Sequence, residues 1–369
     1  MAYKVTPWEV SGDVDYEKLI KDFGTSKLGD PILKRLEKHT GELHPFLKRG
    51  LFFSHRDFDW ILDKYEKGEK FYLYTGRGPS GDTHIAHLIP WMFTKWLQDK
   101  LDVELYFQIT DDEKFLVKPI TLDQTLKFSY DNALDLIALG FDPKKTFAFI
   151  DTEYAKTLYK IALEVAKRTT FSTAKAVFGF TNESNIGIIF FPAMQAAPCF
   201  LPSVLKGKNI PCLIPAAIDQ DPYWRISRDV APKLGYYKTA AIHSKFLSGL
   251  SKGGKMSASD KSSAIYTKDK PEEVEFKIKR ALTGGRDTVA EQKEKGGQPE
   301  KCVVYEYQYY LFELDDKAVN ERARQCKSGE LMCGECKQNL IKSINKFLAK
   351  HQAEREKAKS KVEKFMLRD

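Results

Sequence analysis

The chain predicts an α/β fold: a doubly wound parallel sheet followed by an all-α C-terminal region. Three observations carry this. Apolar, strand-like runs recur at Phe71–Thr75, Val103–Ile109, Thr146–Ile150, Ile210–Ala217 and Ala240–His243, with helix-length amphipathic segments between them; such alternation yields parallel strands joined by crossover helices. The first run breaks at Gly76, Gly78, Pro79 and Gly81, and a long apolar-periodic stretch follows from about Thr83 to Lys100. Beyond Lys270 the patterns are helical only, which places a boundary near residue 266.

Taken in order, residues 1–68 open with a short apolar-aromatic piece (Val5, Pro7, Trp8, Val10) and polar helical stretches through Tyr16–Lys21 and Pro31–His39. Ser54 is placed to cap a helix carrying Phe58, Ile61, Leu62 and Tyr65. The run Phe71–Thr75 is unbroken and apolar, as a strand buried on both faces would be. Between Asp111 and Phe190 the chain is mainly helical; Leu158, Ile161, Ala162 and Val165 form one stripe, suited to a core or an oligomer surface. Later helical patterns cover Glu272–Leu282, Tyr305–Leu314 and Leu340–Leu348, with a charged helix expected over His351–Met366.

With 369 residues, 42% hydrophobic and 30% charged, the chain has the composition of a globular protein with two or three domains. No apolar run approaches the ~20 residues that cross a bilayer. The start of the chain has neither a signal-peptide core nor a transit-peptide pattern, so a cytoplasmic protein with no membrane association is expected. Six cysteines argue against a disulfide scaffold. Cys333 and Cys336 form a CxxC with Cys326 and Cys302 upstream, but no second pair completes a regular zinc spacing, so no metal site is expected. From Asn320 to Arg368 there are 13 basic and 6 acidic side chains, which places +7 of the net +8 there. Such an end suits a polyanion such as RNA.

The candidate site begins at the glycine loop. A loop entering a helix N-terminus offers unpaired N–H groups and the positive end of the dipole, which attract phosphate. His84 and His87, three apart on the first helical turn, share one face. The loop is neither a dinucleotide fingerprint nor a P-loop, since no Lys-Ser/Thr follows its last glycine. Far downstream, Lys255-Met-Ser-Ala-Ser259 lies in a Gly/Ser/Lys-rich stretch.

His84-Ile-Ala-His87 resembles the HIGH signature and Lys255-Met-Ser-Ala-Ser259 the KMSKS signature of class I aminoacyl-tRNA synthetases. Thr75-Gly-Arg-Gly-Pro-Ser80, Gln108-Ile-Thr-Asp-Asp-Glu-Lys114, Phe191-Pro-Ala-Met-Gln-Ala-Ala-Pro198 and Ala217-Ile-Asp-Gln-Asp-Pro-Tyr-Trp-Arg225 resemble the eukaryotic-type tryptophanyl-tRNA synthetases, from about Val5 to Met366. The resemblance implies a Rossmann-like catalytic domain over 69–265 with a helical insertion at about 111–190. It also implies an N-terminal extension over 1–68 with a β-hairpin-like start, a helical anticodon-binding domain over 266–356, and a C-terminal helix over 357–369 packing back on the catalytic domain. The implied partners are L-tryptophan, ATP with Mg2+, tRNA(Trp) and a second copy of the chain.

The resemblance further implies residue roles. ATP would be held by Arg77, Gly78, Ser80, His84, His87, Lys114, Asp219, Lys255, Met256, Ser257 and Ser259, with His84, His87, Lys114 and Lys255 serving catalysis. Tryptophan would be held by Tyr74 and Gln108 at its indole N–H and by Glu113, Gln195 and Gln220 at its ammonium. Ala86 departs from the glycine of HIGH, and Ala258 from the second lysine of KMSKS. Three other readings stay open: a tyrosine enzyme, weakened by Pro198 where that family carries an acid; a non-catalytic synthetase-like RNA-binding protein; and a small-metabolite adenylyltransferase.

Overall fold

The computed structural model describes residues 4–6, 10–12, 14–251 and 262–369. A two-stranded antiparallel ladder, β1 (Lys4–Val5) with β2 (Val10–Ser11), opens it. The main sheet comprises β3 (Ser26–Lys27), β4 (Phe52–Arg56), β5 (Tyr72–Arg77), β6 (Glu104–Ile109), β7 (Thr146–Ile150), β8 (Cys212–Ala217) and β9 (Ala240–Ser244). Their spatial order is β3-β4-β9-β8-β5-β6-β7. The five strands from β9 to β7 run parallel, and β4 is antiparallel to both its neighbours. All five expected strands are therefore present, in the doubly wound order.

Alternation along β5 divides the core. Phe71 and Leu73 pack on one face with Leu105, Phe107 and Trp91, while Tyr72 and Tyr74 point to the other with Tyr106 and Phe149. Both faces are covered, which is why the run reads as continuous apolar sequence. The stripe Leu158, Ile161, Ala162 and Val165 is core, buried along the helix Ala155–Ala166.

Two expectations are corrected, the Ser54 cap and a helix continuing through Met366. Ser54 does not cap a helix: it is buried within β4 and hydrogen-bonded to His243 Nδ1 at 3.1 Å. The helix Phe58–Glu66 starts instead from Asp57, whose φ is 50°, and the Phe58 N–H donates to His55 Nδ1. Phe52 and Phe53 are apolar enough to pair beside β9, and that tertiary pairing overrides the local capping signal. Over Tyr305–Leu314, a short α-turn (Val303–Tyr307) passes into a π-helical turn (Gln308–Phe312).

At the C-terminus, one helix, Cys333–Ala358, spans the two patterns expected there, and a 3-10 turn follows at Val362–Lys364. The last residues are extended rather than helical. Ala148 of β7 donates to the Phe365 carbonyl and accepts from the Leu367 N–H, both at 2.7 Å. The long helix is fastened by a largely buried polar cluster: His351 Nε2 and Arg355 Nη1 reach Asp135 at 2.9 and 2.5 Å, and Arg355 Nη2 reaches Asp131 at 2.8 Å. Among the described residues no helix is long and apolar enough to cross a membrane.

Candidate active site

The strand order reverses beside β5. The chain runs β5, β6, β7 to one edge and returns to β8 and β9 on the other side. At such a point the loops leaving adjacent strands part and open a crevice beyond their C-termini. A cavity of about 300 Å³ lies there. It is lined by Gly76, Arg77 and Gly78 at the end of β5, His84, Ala86 and His87 at the next helix, and Glu113 and Lys114 after β6. Gln195, Asp219, Gln220 and the segment Ser244–Leu247 complete the wall.

His84 occupies the N-cap of the helix Ile85–Leu101, with extended backbone. Its N–H donates to His87 Nδ1 at 3.2 Å, a bond that leaves the neutral His87 proton on Nε2. The two imidazoles stack with centroids 3.4 Å apart. Arg77 donates Nε–H to Asn132 Oδ1 at 3.1 Å, while its buried Nη2 has no partner among the described residues. Burial lowers the guanidinium to about 10, so it stays cationic at neutral pH. Lys114 pairs with Glu113 at 2.9 Å, directly over Gly78: a Cβ there would stand 2.1 Å from Lys114 Cε. Gly76 is required by packing, because a Cβ would stand 2.7 Å from the Gln108 carbonyl on β6.

Beneath this mouth lies a polar floor. Tyr74 and Gln108, expected to line the cavity, are fully buried one layer below it. The Tyr74 hydroxyl donates to Gln108 Oε1 at 2.5 Å and accepts from Gln195 Nε2 at 2.8 Å. Burial pushes the Tyr74 phenol well up, so it is a neutral donor. Gln108 Nε2 donates to both carboxyl oxygens of buried Asp151, at 3.0 and 2.9 Å. Trp224 meets Tyr74 edge-on at 5.4 Å.

Of the remaining expected residues, Asp219 is buried in the cavity wall and Gln220 is half-buried there. Ser80 is half-buried on the loop, away from the lining. Lys255, Met256, Ser257 and Ser259 lie outside the described residues. The chain on either side of that segment is tied to the cleft. Phe246 and Leu247 line it, Leu250 N–H donates to the Ser263 carbonyl, Ile85 N–H to Ile265, and Thr267 N–H to Thr83, each at 2.9 Å.

Sequence reading missed Lys245, Tyr223 and Trp224. Lys245 is a half-buried cation in the wall, its ammonium lowered by burial and lying 5.3 Å from the Tyr16 ring. It directly follows β9, so the rule that ligands gather beyond strand ends could have found it. In the helical region, Cys302, Cys326, Cys333 and Cys336 line a separate small cavity as free thiols. Among the described residues no group of His, Cys, Asp and Glu is placed to hold a metal ion.

A family model described as class I tRNA synthetases (W and Y) matches residues 66–349. A tryptophan–tRNA ligase from Pyrococcus horikoshii is 58% identical over 367 residues, covering 98% of this chain and 93% of that relative. Among solved structures, the tryptophanyl-tRNA synthetase of Plasmodium falciparum superposes with a TM-score of 0.89 at 42% identity, covering 95% of this chain and 97% of that one. One from Encephalitozoon cuniculi, bound to tryptophan, gives 0.88 at 39% identity, covering 96% and 98%.

Proposed function

The chain belongs to the class I tRNA synthetases of the tryptophan and tyrosine group, and from that premise we propose a reading of its reaction and of the residues that carry it. It is a tryptophan–tRNA ligase. L-Tryptophan and ATP give tryptophanyl-adenylate and pyrophosphate, and tryptophan then passes to the 3′ end of tRNA(Trp).

The first step needs no enzyme nucleophile, because the substrate carboxylate attacks the α-phosphorus. The protein holds the two reactants in line and offsets charge growing on the phosphoryl oxygens. His84 and His87 donate there. Arg77, with its unpartnered Nη2, and Lys114 receive the outer phosphates, with Lys255, Ser257 and Ser259 completing that set. Asp219 accepts from the ribose hydroxyls. Mg2+ enters with ATP as part of the substrate. In the floor, Tyr74 and Gln108 meet the indole N–H, while Glu113, Gln195 and Gln220 meet the ammonium.

The single observation that carries this reading is one cleft holding Arg77, His84, His87 and Lys114 above the Tyr74–Gln108 floor. ATP–pyrophosphate exchange with each of the twenty amino acids tests it; exchange driven by tyrosine and not tryptophan would overturn the specificity. The carboxylates in the described cavity wall are Glu113 and Asp219, both with other assignments, and the resemblance puts Pro198 where tyrosine enzymes carry their acid.

Residues 266–356 form the anticodon-binding domain in this reading. Lys342, Lys346 and Lys350 recur every four residues, all exposed on the helix Cys333–Ala358, and so make a basic stripe. Reversing all three to Glu is expected to weaken tRNA charging while leaving pyrophosphate exchange intact. The protein acts as a cytoplasmic homodimer. In support, Tyr159, Leu163, Phe171 and Ile186 are 52%, 45%, 46% and 85% exposed, an apolar set suited to a second copy.

A further inference from the structure

We propose that Asp151 is a specificity-determining positioning residue: it fixes which end of the Gln108 amide faces the tryptophan slot. The proposal rests on the tryptophan reading above. A glutamine amide has an acceptor end and a donor end of nearly the same shape, so its surroundings decide which one it presents. A slot that selects an indole N–H must present the acceptor.

Here the choice is made from behind. Gln108 Nε2 donates to both Asp151 oxygens, at 3.0 and 2.9 Å, and its Oε1 is left toward the Tyr74 hydroxyl at 2.5 Å. Turning the amide over would set Oε1 against those oxygens, and the two contacts to Asp151 would be lost. Asp151 is 1% exposed, and among the described residues no cation is bonded to it to offset its burial. What accompanies it is a second acid, Asp112, joined to it by a hydrogen bond.

Burial first, with the neighbouring Asp112 carboxyl, holds Asp151 well above the usual carboxylate range. Its two oxygens, both within 3.0 Å of Gln108 Nε2, supply the acceptor. A buried acid such as Asp151 opposes folding, and it stands outside the cavity lining. Its placement behind Gln108 gives the pair a role.

The test compares tryptophan with β-(3-benzothienyl)alanine, which keeps the shape and lacks the N–H. The readout is the ratio of their kcat/KM values in pyrophosphate exchange. In wild type the ratio favours tryptophan. In Asp151→Leu it is expected to fall by ~10-fold or more with the KM for ATP unchanged, since the acceptor is no longer held. Asp151→Asn should restore the ratio, because its carbonyl can still accept from Gln108 while its amide donates to Asp112. Asp151→Ala, which removes the acceptor without adding bulk, reads the same quantity should the leucine variant not fold. Equal losses for the two substrates, or an unchanged ratio in both variants, would overturn the role of Asp151 alone. Wild-type exchange with some other amino acid and not with tryptophan would overturn the underlying reading as well.

Discussion

The floor of the slot and the mouth of the cleft rise from the same two strands, β5 and β6, but hold their polar groups differently. In the floor, Tyr74, Gln108, Gln195 and Asp151 are each at most 9% exposed, and each is hydrogen-bonded to another of the four. At the mouth, Arg77 keeps a buried Nη2 without a partner among the described residues, and Lys114 crosses Gly78 to reach Glu113. Recognising a neutral N–H demands acceptors fixed before the substrate arrives. Meeting charge that grows during a reaction demands donors with capacity to spare. Substitutions in the mouth should therefore act on rate, and those in the floor on choice of amino acid.

The largest effects belong to the mouth. His84→Ala and His87→Ala are each expected to lower kcat for pyrophosphate exchange by ~10²–10³, the usual loss for one transition-state donor, while the KM for tryptophan moves little. A rise in tryptophan KM at constant kcat would place the imidazoles in the floor's class instead.

Next comes the floor. Gln108→Leu leaves the Tyr74 hydroxyl with Gln195 alone and strands one side of Asp151 in a dry environment, so kcat/KM for tryptophan should fall by ~10–10²-fold, about 1–3 kcal/mol. Kinetics with saturating ATP check this, and an equal fall in kcat/KM for ATP at saturating tryptophan would blur the distinction between the two regions. Gly78→Ala should cost less. The new Cβ meets Lys114 Cε at 2.1 Å, the end of a flexible side chain that can move aside, so a loss of up to ~10-fold in kcat/KM for ATP is expected.

The two regions were not equally legible in sequence. The mouth announces itself, because Gly76, Gly78 and the paired histidines break the apolar pattern at the end of β5. The floor does not. Tyr74 and Gln108 look like ordinary strand residues, and only the family resemblance singled them out. Asp151 gave no signal at all: its partner Gln108 lies 43 residues away in sequence and is brought alongside only by the parallel pairing of β6 with β7. Non-local pairing, here with β9, likewise hid β4, whose Ser54 reads as a helix cap. Five parallel strands were readable because each is buried on both faces, whereas the short edge strand β3 carries exposed Ser26 and Lys27 and gives no apolar run.

The smallest expected effect reads the floor through its proton. Burial first, together with neighbouring Asp111 and Glu113, raises the Asp112 carboxyl to about 7, and its hydrogen bond with Asp151 counters only part of that. Unfolded, the group titrates near ~3.9. The folded state therefore holds a proton that the unfolded chain has released across the interval from about 4 to about 7. Stability from this source is complete below the lower value and is lost as pH rises through the upper one. Between about pH 6 and 7.5 the loss is of order 1 kcal/mol. Thermal melts over that range should show the wild-type Tm falling relative to Asp112→Asn, which cannot titrate. Parallel curves for the two proteins would mean that the acid pair is already ionised, and the floor would then rest on charge repulsion offset elsewhere rather than on a shared proton.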